Sequence, residues 1–368
     1  MCPSIQNPEP KIQNRKVLVA MSGGVDSSVA AALLVEQGCD VVGMTMRVAS
    51  GEGRETSSKA CCTLDAAQDA RRVADKLGIP HYVINYVQRF EREVINDFIN
   101  EYMAGRTPNP CSRCNQRVKF GALYEKALAI NADVIATGHY ARAVQRGDRV
   151  ALRRARDLNK DQSYTLAGLG QAQLQRAIFP LGEMTKEETR NVARSLGLVT
   201  ADKPESMEIC FVPNDNYRDF LATRVDAPPA GPIVNLQGEL VGHHTGLINY
   251  TVGQRKGLGI AAPTPYYVVK IDMQRNALVV GHEDETRCTG LTATQVSWCA
   301  IPPQTESFAC AVQTRYKATP VACTVNPGAT PDTFSLTFHE PQRTVTPGQW
   351  AVLYDDDIVL AAGIIANP

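Results

Sequence analysis

The sequence contains no apolar run long enough to cross a bilayer, and it has no excess of either charge. It carries 38 Lys and Arg against 38 Asp and Glu among 368 residues. Whole-molecule charge therefore does not direct the protein to nucleic acid, and any site for a polyanion must be a local patch. The lack of a long apolar run excludes a membrane-spanning helix, so we expect no membrane partner.

The first residues also lack the apolar core of a secretory signal. Residues 1–15 are polar and contain three prolines, so we expect a disordered lead-in. The chain has 11 cysteines. Without a signal, these indicate a reducing compartment, where thiols serve as structural residues, metal ligands or catalysts. We therefore expect a cytoplasmic protein.

Short apolar segments alternate with helical patterns over residues 16–218. The candidate strands are residues 17–21, 41–46, 82–86 and 133–137. Between the second and third of these, Ala66, Ala70, Val73 and Leu77 recur at helical spacing. This alternation predicts an α/β domain with a doubly wound parallel sheet.

The rest of the chain predicts two smaller domains. A stretch rich in proline at residues 227–232 is typical of a linker, and we expect a small central domain over residues 219–276. From residue 277 to residue 368, short alternating runs separated by turns predict a β-barrel, the first run lying at residues 277–280. A β-sandwich is the alternative.

A glycine-serine loop lies between the first candidate strand and the helix that follows it. Residues 22–28 read SGGVDSS. Glycines let successive amides point at one anion, and the helix N-terminus adds positive potential, so this loop predicts a phosphate site. It lacks the Lys-Ser or Lys-Thr pair of a Walker loop and the third glycine of a dinucleotide loop. A plain helix-capping turn is the alternative.

Three cysteines are candidates for chemistry. Residues 107–115 read TPNPCSRCN and present Cys111 and Cys114 in a C-x-x-C motif, and Cys210 follows much later in the chain. A structural zinc is the alternative, but a second C-x-x-C is absent and the further thiols near this motif are the adjacent Cys61 and Cys62. We assign no role to Cys61 or Cys62.

Together these motifs resemble the tRNA-specific 2-thiouridylases of the ATP pyrophosphatase (PP-loop) superfamily. Further matching segments are ATGHY at 136–140, NKDQSY at 159–164, GQRKGLG at 253–259 and TPGQ at 346–349. The resemblance implies ATP-dependent 2-thiolation of the wobble uridine, position 34, in the tRNAs for Lys, Glu and Gln. It also implies adenylation of the uridine C2 oxygen, and a sulfur-donor protein such as a cysteine desulfurase or a sulfur relay protein.

The resemblance also implies residue roles. Cys114 would be the nucleophile and Cys210 the persulfide carrier, with a Cys114–Cys210 disulfide as an intermediate. Asp26 would help to hold Mg²⁺. The residues expected to bind ATP are Ala20, Met21, Ser22, Gly23, Gly24, Val25, Asp26, Ser27, Ser28, Met46 and Gly138.

The resemblance implies contacts with the anticodon arm of tRNA, and we expect the central and last domains to grip that arm. The residues expected to make them are Asn109, Pro110, Cys111, His139, Lys160, Asp161, Gln162, Arg315, Tyr316 and Gln349. Between the first and last of these, residues 142–156 contain six arginines and one aspartate. We expect this run to form a positive patch for RNA phosphates, with a solvated hairpin face as the alternative.

One position departs from the common form of the family, which has an aspartate where this chain has Cys111. This departure puts a carboxylate role in proton transfer in doubt. It also raises an alternative mechanism, in which Cys111, Cys114 and Cys210 hold a [4Fe-4S] cluster with one open iron. The remaining alternatives are a different PP-loop thiolase or amidotransferase, and a non-enzymatic RNA-binding protein that contains a metal.

Overall fold

The computed structural model describes residues 13–48, 64–204, 209–226 and 229–367. The cysteines at 61 and 62 lie outside these ranges. None of the helices within them is long and apolar enough to cross a membrane. The strands form three separate sheets, which follow one another along the chain apart from one hairpin.

Within the described ranges, the first part of the chain forms seven strands and ten α-helices. The strands are β1 Lys16–Ala20, β2 Asp40–Arg47, β3 His81–Asn85, β4 Val134–Thr137, β5 Arg142–Arg146, β6 Arg149–Arg153 and β7 Ala177–Ile178. The helices are α1 Val25–Glu36, α2 Leu64–Leu77, α3 Val87–Phe90, α4 Asn96–Met103, α5 Pro110–Arg113, α6 Phe120–Ala129, α7 Ser163–Leu166, α8 Gln171–Leu174, α9 Lys186–Ser195 and α10 Tyr217–Ala222. Two π-helical turns, Glu91–Ile95 and Cys114–Lys119, connect α3 to α4 and α5 to α6.

Five of these strands form a parallel sheet in the order β3-β2-β1-β4-β7. The chain passes from β1 to β2 and β3 on one side of β1, whereas β4 and β7 lie on its other side. The strand order therefore reverses between β1 and β4. In such sheets ligands bind outside the carboxyl ends of the strands at this reversal. The predicted doubly wound α/β domain is confirmed.

The sheet separates two apolar clusters because its strand side chains alternate between faces. In β1, Leu18 belongs to one cluster and Val17 and Val19 belong to the other, and all three are fully buried. This burial on both faces explains why β1 is a continuous apolar run in the sequence.

The middle sheet is small and has its own core. It contains β8 Gly231–Val234, β9 Leu240–His244, β10 Tyr267–Asp272 and β11 Ala277–Gly281, in the order β10-β11-β8-β9. Its central apolar side chains, among them Ile233, Val268 and Leu278, are fully buried. The run at 277–280, expected to begin the barrel, is β11 of this sheet, because it pairs with β10 and β8.

The last part of the chain forms a closed barrel, as predicted. Its strands are β12 Arg287–Trp298, β13 Phe308–Gln313, β14 Val321–Pro327, β15 Thr333–Arg343, β16 Trp350–Asp355 and β17 Ile358–Asn367. They follow the order β12-β15-β14-β13-β16-β17, and pairing of β12 with β17 closes the ring. Outside the ring, β6 of the first domain pairs with β17 through Arg153 and Ile358, so the β5–β6 hairpin extends the barrel sheet.

The arginines of this hairpin hold the first domain against the barrel. Arg142 forms ion pairs with Glu183 and Asp357 at 3.2 and 2.9 Å, and Arg153 also pairs with Asp357. Arg149 donates to the Trp298 carbonyl at 2.6 Å.

A fourth arginine of the run lies in the same interface. The guanidinium of Arg154 lies 3.9 Å from the centre of the Tyr354 ring and donates to Gln313 at 2.9 Å. Arg142, Arg149, Arg153 and Arg154 thus make contacts within the protein, and binding of RNA phosphates by this run remains a prediction.

Candidate functional site

The loop at residues 22–28 connects β1 to α1 at the carboxyl edge of the parallel sheet. Gly24 caps the helix with extended backbone angles, and its carbonyl accepts the Ser28 hydroxyl at 2.8 Å and the Ser28 amide at 3.2 Å. The Ser27 hydroxyl accepts the Ser22 amide at 3.1 Å. The amides of the first helical turn have no partner within the helix, so they are oriented to bind an anion.

Gly23 is required by the close approach of a neighbouring helix. Its φ is +70°, and a Cβ at this position would overlap the backbone carbonyl of Ala66 in α2. From the next strand, the Thr45 hydroxyl donates to the Met21 carbonyl at 2.7 Å and contacts His81 Nε2 at 2.9 Å. Burial lowers the pKa of His81, which favours the neutral imidazole at this contact.

The other residues expected to bind ATP lie at the same edge of the sheet. Met46 is at the carboxyl end of β2, and Gly138 directly follows β4. A Cβ on Gly138 would lie 2.6 Å from the Asp26 carbonyl carbon and from the Ser27 nitrogen. The structure therefore brings residues 20–28, Met46 and Gly138 to one edge of the sheet, and their contact with ATP remains a prediction.

Two lysines that the sequence analysis missed contact this loop. Lys186 at the start of α9 is largely buried and lies 2.7 and 2.8 Å from the two carboxylate oxygens of Asp26. Lys203 donates to the Gly23 carbonyl at 2.9 Å and to Asp69 at 2.8 Å. No local motif could have identified them, because they are 160 and 180 positions from their loop partners in sequence.

Asp26 also accepts the Tyr140 hydroxyl at 2.8 Å, and that hydroxyl lies 3.0 Å from Thr189. The carboxylate that we expected at Mg²⁺ is thus held by an ammonium and a phenol. Binding of Mg²⁺ there remains a prediction.

The C-x-x-C motif lies on a short, well-capped turn. The Asn109 side chain accepts the Ser112 amide at 3.1 Å, and Pro110 occupies the first helical position. Cys111 is exposed, while Cys114 is half-buried against the larger apolar cluster. The neighbouring Arg113 is buried and ion-paired with Asp97 at 3.2 Å, so this carboxylate balances the positive charge next to Cys114.

Cys210 is positioned by the aromatic ring beside it. The ring of Phe211 lies 5.2 to 5.7 Å from those of Phe90, Phe98 and Phe220, all in edge-on geometry. Cys210 packs against the same apolar cluster as Cys114. Cys114 and Cys210 therefore both lie against this large cluster, and their roles in sulfur transfer remain a prediction.

The three candidate cysteines do not fit a cluster or a zinc ion. Within the ranges that the structure describes, no group of three His, Cys, Asp or Glu side chains could hold a metal ion. The [4Fe-4S] alternative on Cys111, Cys114 and Cys210 and the zinc alternative on Cys111 and Cys114 are therefore unsupported by the geometry.

Between β6 and α7, two of the residues expected to contact RNA make hydrogen bonds within the protein. Asp161 accepts the Ser163 hydroxyl at 2.7 Å and the Ala155 amide at 2.9 Å, and Gln162 accepts the Tyr140 amide at 3.0 Å. Lys160 lies in the turn that precedes them. Asp161 and Gln162 thus fix the backbone of this segment, and their contact with RNA remains a prediction.

A cleft of about 200 Å³ lies between that segment and the barrel. It separates residues 158–164 of the first domain from the β13–β14 connection of the barrel, and its lining includes Asp161, Tyr164 and Tyr316. Tyr316 and Arg315 are both exposed, and Arg315 donates to the Thr344 carbonyl at 2.8 Å. Desolvation lowers the pKa of Arg315.

Two further expected RNA contacts lie just after β4 and in the loop between β15 and β16. His139 Nδ1 is 2.7 Å from the Thr137 hydroxyl, and its ring packs against those of Phe120 and Phe179. Gln349 donates to the carbonyls of Thr107 and Pro108, at 2.9 and 3.3 Å.

Three family models match consecutive parts of the chain. The tRNA methyl transferase HUP domain matches residues 15–214, and the tRNA methyl transferase PRC-barrel domain matches residues 218–282. The aminomethyltransferase beta-barrel domain matches residues 288–365. These three matches correspond to the three sheets.

Curated relatives match nearly the whole chain. The tRNA-specific 2-thiouridylase MnmA of Symbiobacterium thermophilum is 48% identical over 95% of this chain and 92% of its own length. Proteins of the same name from Geobacter metallireducens and Carboxydothermus hydrogenoformans are 50% and 48% identical, over 95% and 96% of this chain and 96% and 98% of their own lengths. The descriptions of the family models name methyltransferases, but these relatives confirm the resemblance seen in the motifs. The chain belongs to the tRNA-specific 2-thiouridylase (MnmA) family.

Proposed function

We propose that this tRNA-uridine 2-sulfurtransferase thiolates C2 of the wobble uridine, position 34, in the tRNAs for Lys, Glu and Gln, at the expense of ATP. One observation carries the proposal. The phosphate loop lies at the carboxyl edge of the sheet, and the two cysteine-bearing segments pack against the apolar cluster beneath that sheet. We propose that ATP activation at the loop and sulfur transfer at the cysteines serve one substrate.

The first step is adenylation. The amides of the first turn of α1 would bind the pyrophosphate end of ATP, and Lys186 and Lys203 would add positive charge beside it. Mg²⁺ would neutralise phosphate charge, with Asp26 as its expected ligand. The uridine C2 oxygen then attacks the α-phosphorus and pyrophosphate leaves, which converts a poor leaving group into AMP.

The second step replaces that oxygen with sulfur. We propose that a donor protein, such as a cysteine desulfurase or a sulfur relay protein, loads a persulfide on Cys210. The Cys114 thiolate attacks the inner sulfur, which releases hydrosulfide and leaves a Cys114–Cys210 disulfide. Hydrosulfide adds to C2 and AMP departs. Alternatively, the outer persulfide sulfur attacks C2 directly and Cys114 then releases the product, leaving the same disulfide for a two-electron reductant.

The tRNA would reach this site by its anticodon arm. Base flipping is required because C2 must leave the anticodon stack to meet the adenylating loop. Exposed Tyr316 provides a ring for base stacking. Around the flipped base, we propose contacts from Asn109, Pro110, Cys111 and His139, and along the arm from Lys160, Asp161, Gln162 and Arg315. A tRNA substrate and cysteines that need a reducing compartment both favour a cytoplasmic location.

The test uses Cys114→Ala and Cys210→Ala, with Cys310→Ala in the barrel as the matched control. Each protein is incubated with ATP, unmodified tRNA and a persulfide donor, and both AMP formation and thiouridine are measured. We expect the first two variants to adenylate tRNA and to lose thiolation, while the control retains both. Thiolation that survives in either variant removes that cysteine from the mechanism. AMP formation that does not need tRNA contradicts the proposed substrate.

A further inference from the structure

The barrel reaches the cysteine-bearing segment through the loop at residues 346–349, which connects β15 to β16. The Thr107 amide donates to the Pro347 carbonyl at 2.8 Å. The Gln349 side-chain amide donates to the Thr107 carbonyl at 2.9 Å and to the Pro108 carbonyl at 3.3 Å. Both backbone polar groups of Thr107 are therefore bonded to the barrel.

The 346–349 loop is itself firmly held. The Gly348 amide donates to the Ile365 carbonyl at 2.9 Å, and the Ile365 amide donates to the Gln349 carbonyl at 2.8 Å, which fixes the loop to β17. On its other side, Arg315 donates to the Thr346 hydroxyl at 3.0 Å. The loop can thus act as a rigid support.

The fit between the loop and the segment leaves almost no free space. Gly348 has a φ of +90°, and a Cβ there would lie 2.8 to 2.9 Å from backbone atoms of Thr107. The gap that remains between Pro108 and Gly348 is about 10 Å³, which is no more than one water molecule needs.

The supported segment leads directly to the candidate chemistry. Thr107 and Pro108 precede Asn109, the cap of α5, which carries Cys111 and is followed by Cys114. Two prolines, at 108 and 110, restrict the backbone between the bonded carbonyls and the cap. A shift of Thr107 would therefore be transmitted to the cysteines instead of being absorbed.

We infer that Gln349 is a positioning residue, which sets the cysteine-bearing turn by holding the Thr107 and Pro108 carbonyls. This inference rests on the proposed function. It differs from the expected contact between Gln349 and tRNA, since it acts before any tRNA is bound.

Loss of Gln349 should not detach the barrel. The barrel is also held by the Tyr164 hydroxyl, which donates to the Trp350 carbonyl at 3.0 Å and accepts the Trp350 amide at 3.2 Å. The pairing of β6 with β17 and the ion pairs of Asp357 add to this attachment. A positioning defect can therefore be separated from unfolding.

The test compares Gln349→Met, which keeps side-chain length but cannot donate, with Gln304→Glu as a control on an exposed barrel loop. Three quantities are measured: the single-turnover thiolation rate at saturating tRNA, the dissociation constant for tRNA, and the alkylation rate of Cys111 without tRNA, relative to that of Cys39. For Gln349→Met we expect thiolation to slow about tenfold, the dissociation constant to stay within about twofold, and the alkylation ratio to change at least about threefold. The control should match the parent protein.

The outcomes separate this inference from the proposed function. If the parent protein does not thiolate tRNA, the proposed function fails, but the alkylation ratio still tests the positioning role. If Gln349→Met weakens tRNA binding and leaves both the saturated rate and the alkylation ratio unchanged, Gln349 is a tRNA contact and the inference is wrong. Gln349→Glu provides a second variant without a donor if Gln349→Met fails to fold, and an unchanged alkylation ratio in it also overturns the inference.

Discussion

Adding one methyl group at Gly138 would test how the end of β4 supports the phosphate loop. The new Cβ would lie 2.6 Å from the Asp26 carbonyl carbon and the Ser27 nitrogen, and 3.0 Å from the Asp26 Cβ. Non-bonded heavy atoms prefer about 3.5–4.0 Å, so the first turn of α1 must move by roughly 1 Å. Because two of these three atoms are backbone, a rotamer change cannot relieve the contact. Overpacking of this kind costs about 1–3 kcal/mol.

One of the displaced atoms is the Ser27 nitrogen, which belongs to an amide that we expect to bind ATP. If the full 1–3 kcal/mol falls on ATP binding, the KM for ATP rises by about 5- to 150-fold. The ATP dependence of AMP formation measures this, and thermal unfolding shows whether the fold is retained. Gly170→Ala is the matched control, because no heavy atom lies within 4 Å of its Cβ and its φ is −82°. An unchanged KM and melting temperature in Gly138→Ala would refute the reasoning.

Four further outcomes follow from the packing and charges. Trp350→Ala removes a fully buried indole and should lower the unfolding free energy by about 3–5 kcal/mol in urea titrations; a loss below 1 kcal/mol would contradict this packing. Lys186→Met leaves the Asp26 carboxylate uncompensated beside the loop, so the KM for ATP should rise about tenfold, and an unchanged KM would remove Lys186 from the site. Burial raises the pKa of Cys299 from 9.0 to about 11. The folded form therefore keeps its proton while the unfolded chain ionises, and up to about 2–3 kcal/mol of stability is lost from pH 9 to 11. Cys299→Ala should remove that part of the pH dependence, and identical slopes would contradict it. Arg142→Gln should lower stability by about 1–2 kcal/mol without changing the salt dependence of tRNA binding, and a slope smaller by about one would show a phosphate contact instead.

Local features of the site could be predicted because they depend on neighbouring residues. The run at 17–21 gave β1 to within one residue, and the left-handed Gly23 in the following loop needs glycine whatever ligand it binds. Lys186 and Lys203 could not be found in this way. Their contacts with the loop exist because α9 and the turn after it fold back onto the loop at residues 22–28, and no spacing along the chain records that packing.

The hairpin arginines show how charge along a sequence differs from charge on a folded surface. Residues 142–156 have few carboxylates of their own, so by sequence the run indicates a polyanion site. In the fold, Asp357 lies 215 and 204 positions from Arg142 and Arg153, yet it pairs with both. Their side chains are partly buried by the barrel, so an arginine without these partners would lose hydration without a compensating ion pair. The density of arginines in this run is therefore explained in part by the contacts that join the hairpin to the barrel edge.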